Sequence, residues 1–245
     1  MLGKRYFEGI RELLDAVEKT QFEAICKAAD AVAESISRGK TFHLFGTGHS
    51  HMMAEEAFCR AGGLVPVNAI LEPALMLHEG PFKATAMERL EGYAEIIVEH
   101  AGIEEGDTVM VISNSGRNVV PVEVALTSKG RGALVIALTS LAHSSKVASR
   151  HSSGKRLFEV ADIVIDNCGV FGDAILEVGG LSTKVSPTST VTGAAIINTL
   201  VAEVVERLLR AGIKPPVFIS SNVEGGDEHN QQWEPRFAGG YGTRR

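Results

Sequence analysis

The stretch Thr41-Phe42-His43-Leu44-Phe45, continued by Gly46-Thr47-Gly48-His49-Ser50, decides the fold. Its first half has the length and apolar content of a buried strand, and the glycines that follow allow a tight turn. The helix predicted after this turn runs to about Arg60 and is stopped by Gly62-Gly63. Residues 41–60 are therefore predicted to form a strand, a turn and a helix in succession.

The same unit recurs further along the chain. Asp107–Ile112 is a compact apolar run, followed by Ser113-Asn114-Ser115-Gly116-Arg117-Asn118 and by a helix predicted to end near Gly130. Other strands are predicted at 64–67, 133–138 and 163–165. Near-continuous apolar strands separated by helices indicate a parallel sheet covered on both faces. The predicted fold is α/β: a doubly wound five-stranded parallel sheet in a three-layer α/β/α sandwich.

Helices and a tail are predicted around this sheet. The 3.6-residue spacing of apolar side chains over 4–39 predicts an N-terminal helical layer, broken near Gln21. Further helices are predicted over 84–101 and 189–211, and 213–245 is predicted to be an extended arm rich in Pro and Gly. We therefore expect one domain over 1–212, with helices 4–39 and core 40–212, and an arm over 213–245.

Composition excludes several classes of function. The 245 residues carry 24 Lys and Arg against 30 Asp and Glu, a formal charge of −6, so a nucleic-acid partner is not expected. The three cysteines are widely spaced and are predicted to be reduced, as in cytoplasmic proteins. A secretory signal and an apolar run long enough to span a membrane are both missing from the sequence, so no membrane partner is expected.

Polar clusters follow the strands at positions where parallel sheets bind ligands. Gly46–Ser50 and Ser113–Asn118 each combine small hydroxyl or amide side chains with glycine just before a predicted helix, and 186–190 is a third such Ser/Thr cluster. Unpaired N–H groups at helix starts attract phosphate. Ser, Thr and Asn also cap helices, but three clusters exceed what capping demands. The sequence thus predicts a phosphate site.

Other motifs fail on inspection. A dinucleotide fingerprint G-x-G-x-x-G would need glycine at His51, and a nucleophile elbow G-x-S-x-G would need glycine at Met52. His49 and His51 would lie about 200° apart on a helix, which disfavours a shared metal. No cofactor and no metal are therefore predicted.

The two loops, in this order, resemble those of the phosphosugar-binding domain of the sugar isomerase (SIS) family, over about residues 35–212. The stretches 166–169, 184–190 and 220–228 are similar to a particular SIS subgroup. The resemblance implies the SIS fold, and a homodimer or homotetramer with phosphosugar sites at subunit interfaces. The residues that it implies for substrate binding are Thr47, His49, Ser50, Ser113, Asn114, Ser115, Gly116, Asn118, Ser189 and Thr190.

Phosphoheptose isomerases of this superfamily have an Ala-Glu pair on the helix after the glycine loop. Ala54-Glu55-Glu56 is similar but about one helical turn nearer the loop, so Glu55 or Glu56 is the implied base of an aldose-ketose isomerase. Those isomerases have a His where this chain has Asn198. His229, delivered by the arm to a neighbouring subunit, is a further candidate for ring opening.

Two alternatives stay open. The etherases that act on N-acetylmuramic acid 6-phosphate also have an S-G-R loop, which Ser115-Gly116-Arg117 matches, and Glu88 or Glu91 can correspond to an etherase acid. A phosphosugar sensor without catalytic activity is the other alternative, because SIS domains also occur in transcriptional regulators.

Overall fold

Five apolar runs pair as parallel strands in the structure, a computed structural model that describes residues 1–237. The strands are β1 (Phe42–Gly46), β2 (Val67–Ile70), β3 (Thr108–Ile112), β4 (Leu134–Thr139) and β5 (Ile163–Asp166). Their order in the sheet is β2-β1-β3-β4-β5, and Phe42 of β1 pairs with Val67 on one side and Thr108 on the other. The predicted five-stranded parallel sheet is confirmed.

Helices cover both faces of this sheet. They are α1 (Leu2–Ser37), α2 (Met52–Ala57), α3 (Pro81–Met87), α4 (Tyr93–His100), α5 (Val119–Gly130), α6 (Leu141–Ser144), α7 (Leu157–Val160), α8 (Ser189–Arg210) and α9 (Gly226–Gln231). Met110 and Ile112 of β3 pack with α1, α2 and α8, whereas Val109 and Val111 pack with α4, α5 and α7. Alternate side chains of one strand therefore contribute to two hydrophobic cores, one on each face of the sheet.

Four details of the sequence prediction for residues 1–212 were wrong. Helix α1 runs through Gln21 without a break, and the Gln21 side chain accepts a hydrogen bond from the Asp166 N–H at 3.1 Å. Strand β2 begins at Val67 instead of ending there. The helix predicted over 84–101 is two helices, separated at Gly92 with φ 82°. A short antiparallel pair, β6 (Ala174–Leu176) with β7 (Val185–Pro187), was not predicted.

The segment after α8 returns to the β2 side of the molecule. Val217 forms an antiparallel bridge with Leu64, the residue at which strand β2 was predicted to begin. Helix α9 and a 3-10 turn at Glu234–Phe237 follow, so this part of the predicted arm is helical and not extended. Residues 238–245 of the predicted arm lie outside the described residues. Within residues 1–237, every helix is too short or too polar to cross a lipid bilayer.

Candidate functional site

The strand order places the two glycine-containing loops next to each other. Gly46, the last residue of β1, pairs with Ile112, the last residue of β3. The connection from β1 leads to β2 on one side, and the connection from β3 leads to β4 on the other. Ligands of open parallel sheets bind where connections diverge in this way, beyond the carboxyl ends of the strands.

The loop after β3 presents hydrogen-bond donors that have no partner among the described residues. Its turn is closed internally, because the buried Ser113 accepts the Gly116 N–H at its Oγ at 3.2 Å. Within residues 1–237, no partner is found for the N–H groups of Asn114, Ser115, Arg117 and Asn118, or for the Ser115 hydroxyl. We call these groups the open donors. Several donors without partners on one short loop suit the binding of an oxyanion.

The loop itself is held from three directions. The Asn114 carbonyl accepts the Ser140 N–H at 3.1 Å, and the Asn114 side-chain oxygen accepts the Asn167 amide at 2.8 Å. The Asn118 side-chain oxygen accepts a hydrogen bond from Arg150 at 2.6 Å. Both side-chain amides keep their own N–H donors for a ligand.

A small cleft opens beside this loop. Its polar lining comes from four segments: His49, Ser50, Asn114, Asn167, Ser189 and Thr190. Met53 and Gly193 form its floor, and a Cβ on Gly193 would lie 2.7 Å from the Met53 sulfur, so glycine is needed for α8 to approach α2. The enclosed volume is about 20 Å³, enough for about one water molecule. A ligand larger than a water molecule would therefore lie across the rim of the cleft.

Asp173 holds the start of α8 at the cleft. Its carboxylate accepts the N–H groups of Thr188 at 2.9 Å and Ser189 at 2.8 Å, and the Ser189 hydroxyl at 2.7 Å. The donors expected from this third cluster are thus partly taken by the chain itself. Thr190, one residue on, keeps its place in the lining of the cleft.

The first loop is divided between the two faces of the sheet. His49 and Ser50 line the cleft, whereas the buried Thr47 donates its hydroxyl to Glu88 at 2.6 Å. His51 turns inward, with Nδ1 against the Gly48 carbonyl. Thr47, predicted to line the sugar side, therefore contacts the segment between α3 and α4 instead of the cleft.

Neither of the two carboxylates predicted to act as the base lines the cleft. Glu55, on α2, lies 3.6 Å from His51 Nε2 and its side chain is 52% exposed. Glu56 pairs with Arg60 and accepts the Asn198 amide at 2.7 Å. The two positions that the isomerase resemblance brings together, on α2 and on the long helix α8, are thus in contact, and the assignment of Glu55 or Glu56 stays a prediction.

His229 lies on α9, on the side of the molecule near β2. Its Nε2 lies 3.0 Å from the carbonyl of Val217 in the same chain, and it does not line the cleft. A role for His229 in a neighbouring subunit stays a prediction.

Sequence reasoning missed several residues of the site. Asn167 directly follows β5, so the same strand-end argument that selected Ser113 would have selected it. Asp173, Met53 and Gly193 carried no such signal, because they act through contacts with residues distant in sequence.

Comparison with known proteins identifies a family and a close relative in sequence. The model of the SIS domain family matches residues 5–140. A UPF0309 protein of Geobacillus thermodenitrificans (strain NG80-2) is 47% identical over 233 residues, which cover 95% of this chain and 94% of that protein.

Two solved structures are similar in fold. A phosphoheptose isomerase from Francisella tularensis has a TM-score of 0.54 at 18% identity, over 82% of this chain and 95% of that one. The Vibrio vulnificus NanR protein, solved in complex with ManNAc-6P, has a TM-score of 0.52 at 15% identity, over 97% of this chain and 70% of that one. At such identities the likeness concerns the fold alone.

Proposed function

This chain belongs to the SIS domain family, and on that premise we propose that it binds a phosphorylated sugar and isomerises it between aldose and ketose forms. The family predicted from the two loops is confirmed by the family match. The substrate and the reaction remain our proposal.

The observation that carries the binding proposal is the set of open donors after β3. Within residues 1–237, four N–H groups and the Ser115 hydroxyl on this partly exposed loop have no partner and are free to donate to a ligand. A phosphate group provides acceptors for several of them at once. Ser113 shapes the turn, Ser115 and Asn118 bind the phosphate with the backbone of Asn114, and the Gly116 N–H stays on Ser113.

The sugar then extends over the cleft. His49, Ser50, Ser189 and Thr190 offer hydroxyl and imidazole groups for its oxygens. Isomerisation needs a base that takes the proton from the carbon next to the carbonyl and returns it to the neighbouring carbon through a cis-enediol. Glu55 or Glu56 supplies that base, and hydrogen bonds hold the enediol oxygens without a metal.

A thermal-shift screen over sugar phosphates tests binding. A ligand that binds only the folded chain at a hundredfold excess over Kd stabilises it by about 2.7 kcal/mol, which moves Tm by several degrees. Ser115→Trp should abolish the shift without unfolding the chain, whereas Ser182→Trp, at an exposed position that does not line the cleft, should keep it. An equal shift in both variants would contradict the site.

Turnover of the sugar phosphate that binds tests the reaction. Replacing both Glu55 and Glu56 by Gln should lower kcat by about 10²- to 10⁴-fold, the range for general acid-base catalysis, and leave binding nearly unchanged. The two single variants then identify the base. Binding without turnover in the wild type would instead support the sensor.

Thr47 and Glu88 favour a second candidate, an etherase or lyase. The 2.6 Å hydrogen bond between them places a carboxylate directly behind the glycine loop. In this reaction Glu88 would take a proton from the sugar carbon next to the ether-bearing carbon and return it to the ether oxygen, which leaves as an alcohol while a carbon–carbon double bond forms. Glu88→Gln would then abolish release of the ether substituent from a phosphosugar ether, while the Glu55 and Glu56 variants would retain it.

A neighbouring copy completes the site in our proposal, as a homodimer or homotetramer. The enclosed volume of the cleft is too small for a sugar, and Phe7 and Phe22 on α1 are 63% and 45% exposed. Light scattering should give a dimer or tetramer. A fully active monomer would contradict this arrangement.

A further inference from the structure

Three arginines from separate segments converge beside the open donors. Arg89 lies between α3 and α4, Arg117 lies in the loop after β3, and Arg150 lies between α6 and α7. We call them the arginine cluster. The Arg150 N–H donates to the Arg117 carbonyl at 2.8 Å, and its guanidinium donates to Asn118 at 2.6 Å.

Backbone contacts bring the third segment to the same place. The Val120 N–H, in the first turn of α5, donates to the Glu88 carbonyl at 3.0 Å. Glu91 accepts the Ser152 N–H at 2.9 Å, so the segment that carries Arg89 is tied to both other loops. The convergence of the cluster therefore follows from the fold itself.

The positive charge of the cluster is poorly compensated. Within residues 1–237, none of the three arginines forms an ion pair, whereas Arg156 pairs with Glu159 at 2.9 Å and Arg207 pairs with Glu203. Glu88 is the acidic group that acts on Arg150, and its carboxylate also accepts the Thr47 hydroxyl. Arg117 Nε is fully buried and has no hydrogen-bond partner among the described residues.

The like charges of the cluster oppose one another. Burial, together with the like charges of Arg117 and Arg89, lowers the pKa of Arg150, against the opposing charge of Glu88. The chain as a whole is acidic, with 30 Asp and Glu, so a local excess of positive charge does not follow from its composition. Groups held in mutual repulsion within a fold are typical of binding sites.

We propose that the arginine cluster binds the dianionic phosphate of the ligand from the outer side of the loop after β3. The three guanidinium charges exceed the charge of the Glu88 carboxylate, and a phosphate monoester, with a charge of about −1.5 to −2 at pH 7, would balance the excess. Guanidinium forks also fit phosphate oxygens in bidentate geometry. This inference rests on the proposed function, and it adds charged groups to a site otherwise made of neutral donors.

Inorganic phosphate is the probe, because it tests the cluster independently of the sugar. Arg117→Met and Arg150→Met keep an apolar stem and remove the charge, and Arg131→Met, exposed at the far end of α5, is the matched control for net charge. Calorimetry should give a Kd at least tenfold higher in the two cluster variants and unchanged in the control. Arg150→Lys, which keeps the charge but not the fork, should fall between.

The Tm of the ligand-free variants separates ligand binding from a structural role. Removing one of several mutually repelling charges should leave this Tm unchanged or raise it. A lower Tm with an unchanged Kd for phosphate in both Met variants and in Arg150→Lys would overturn the proposal.

Sugar phosphates distinguish this inference from the proposed function. If wild type and cluster variants bind a sugar phosphate equally, the cluster proposal fails and the function stands. If inorganic phosphate binds through the cluster but no sugar phosphate binds, the cluster proposal stands and the function fails.

Discussion

The amino edge and the carboxyl edge of the same strands treat their polar groups in opposite ways. At the amino edge, the fully buried Asp107 accepts the Thr41 N–H at 2.8 Å and the Glu104 N–H at 2.9 Å, and lies 3.2 Å from His43 Nε2. His43 Nδ1 in turn lies 3.1 Å from the Asn68 amide. At the carboxyl edge, the open donors and the arginine cluster have no such closure within residues 1–237.

The difference indicates what each edge is for. A closed network of buried polar groups ties β1, β2 and β3 together and stabilises the sheet. Donors without partners on a rigid loop are available to a ligand, because the ligand can supply the acceptors that the described residues do not. Stability and binding should therefore respond separately to changes at the two edges.

The largest effect is expected from breaking the amino edge. Asp107→Ala leaves His43 and two N–H groups without their acceptor, and should lower the free energy of unfolding by about 3–5 kcal/mol. Urea unfolding measures the loss. Asp15→Ala, at an exposed position of α1, should change it by less than about 0.5 kcal/mol. A ligand-induced stabilisation that also disappeared in folded Asp107→Ala would break the separation of the edges.

A mixed effect is expected at Asp173, which belongs to the carboxyl edge but is internally partnered. Asp173→Ala removes the cap of α8 and puts alanine at φ 69°, so we expect a loss of about 2 kcal/mol in unfolding free energy. Sugar-phosphate affinity should fall as well, because Ser189 loses its anchor. Asp173→Asn, which keeps an acceptor and tolerates this φ, should lose about half as much.

A smaller effect is expected from Gly116, which shapes the open loop. Gly116 has φ 57° and its Cβ would lie 3.1 Å from Thr139 Oγ1, whereas Gly154 has φ 71° with no atom within 4 Å. Alanine at either position carries the same backbone strain, so the extra loss in Gly116→Ala, about 1 kcal/mol, measures the contact alone. Equal losses of unfolding free energy in the two variants, measured by urea unfolding, would show that the loop accommodates the added Cβ of Gly116→Ala without cost.

The smallest effect at neutral pH is expected from the dependence of the unfolding free energy on the protonation of Asp107. Burial alone would raise the pKa of Asp107, but the hydrogen bonds from His43, Thr41 and Glu104 and the charge of His43 lower it below 3.8 overall. The unfolded chain therefore binds the proton first as pH falls. The stabilisation is complete above about pH 5 and is lost as pH drops through the unfolded and then the folded pKa.

Unfolding free energies measured from pH 7 to pH 3 test this linkage. The difference between wild type and Asp107→Asn should be constant at neutral pH and shrink in acid. A difference that grows in acid would contradict the lowered pKa of Asp107 in the folded chain.

Much of the sheet could be predicted from the sequence, and less of the site. The apolar runs at 107–112 and 133–138 give β3 and β4 within one residue, because local apolar patterning specifies buried strands. Strand β2 was misplaced, since Leu64 and Val65 are equally apolar but pair with Val217 and Pro216 instead of with β1. The resemblance selected His49, Ser50 and Asn114, which do line the cleft.

The sequence by itself determined the parallel sheet, its two covered faces and the two loops at its carboxyl edge, because each depends on residues adjacent along the chain. Only the tertiary structure decided which polar groups stay open. Thr47 is paired with Glu88, 41 residues away, and Arg150 is brought to Asn118 across 32 residues. Hydrogen-bond partners and charge balance depend on distances in space, which residue order alone does not contain.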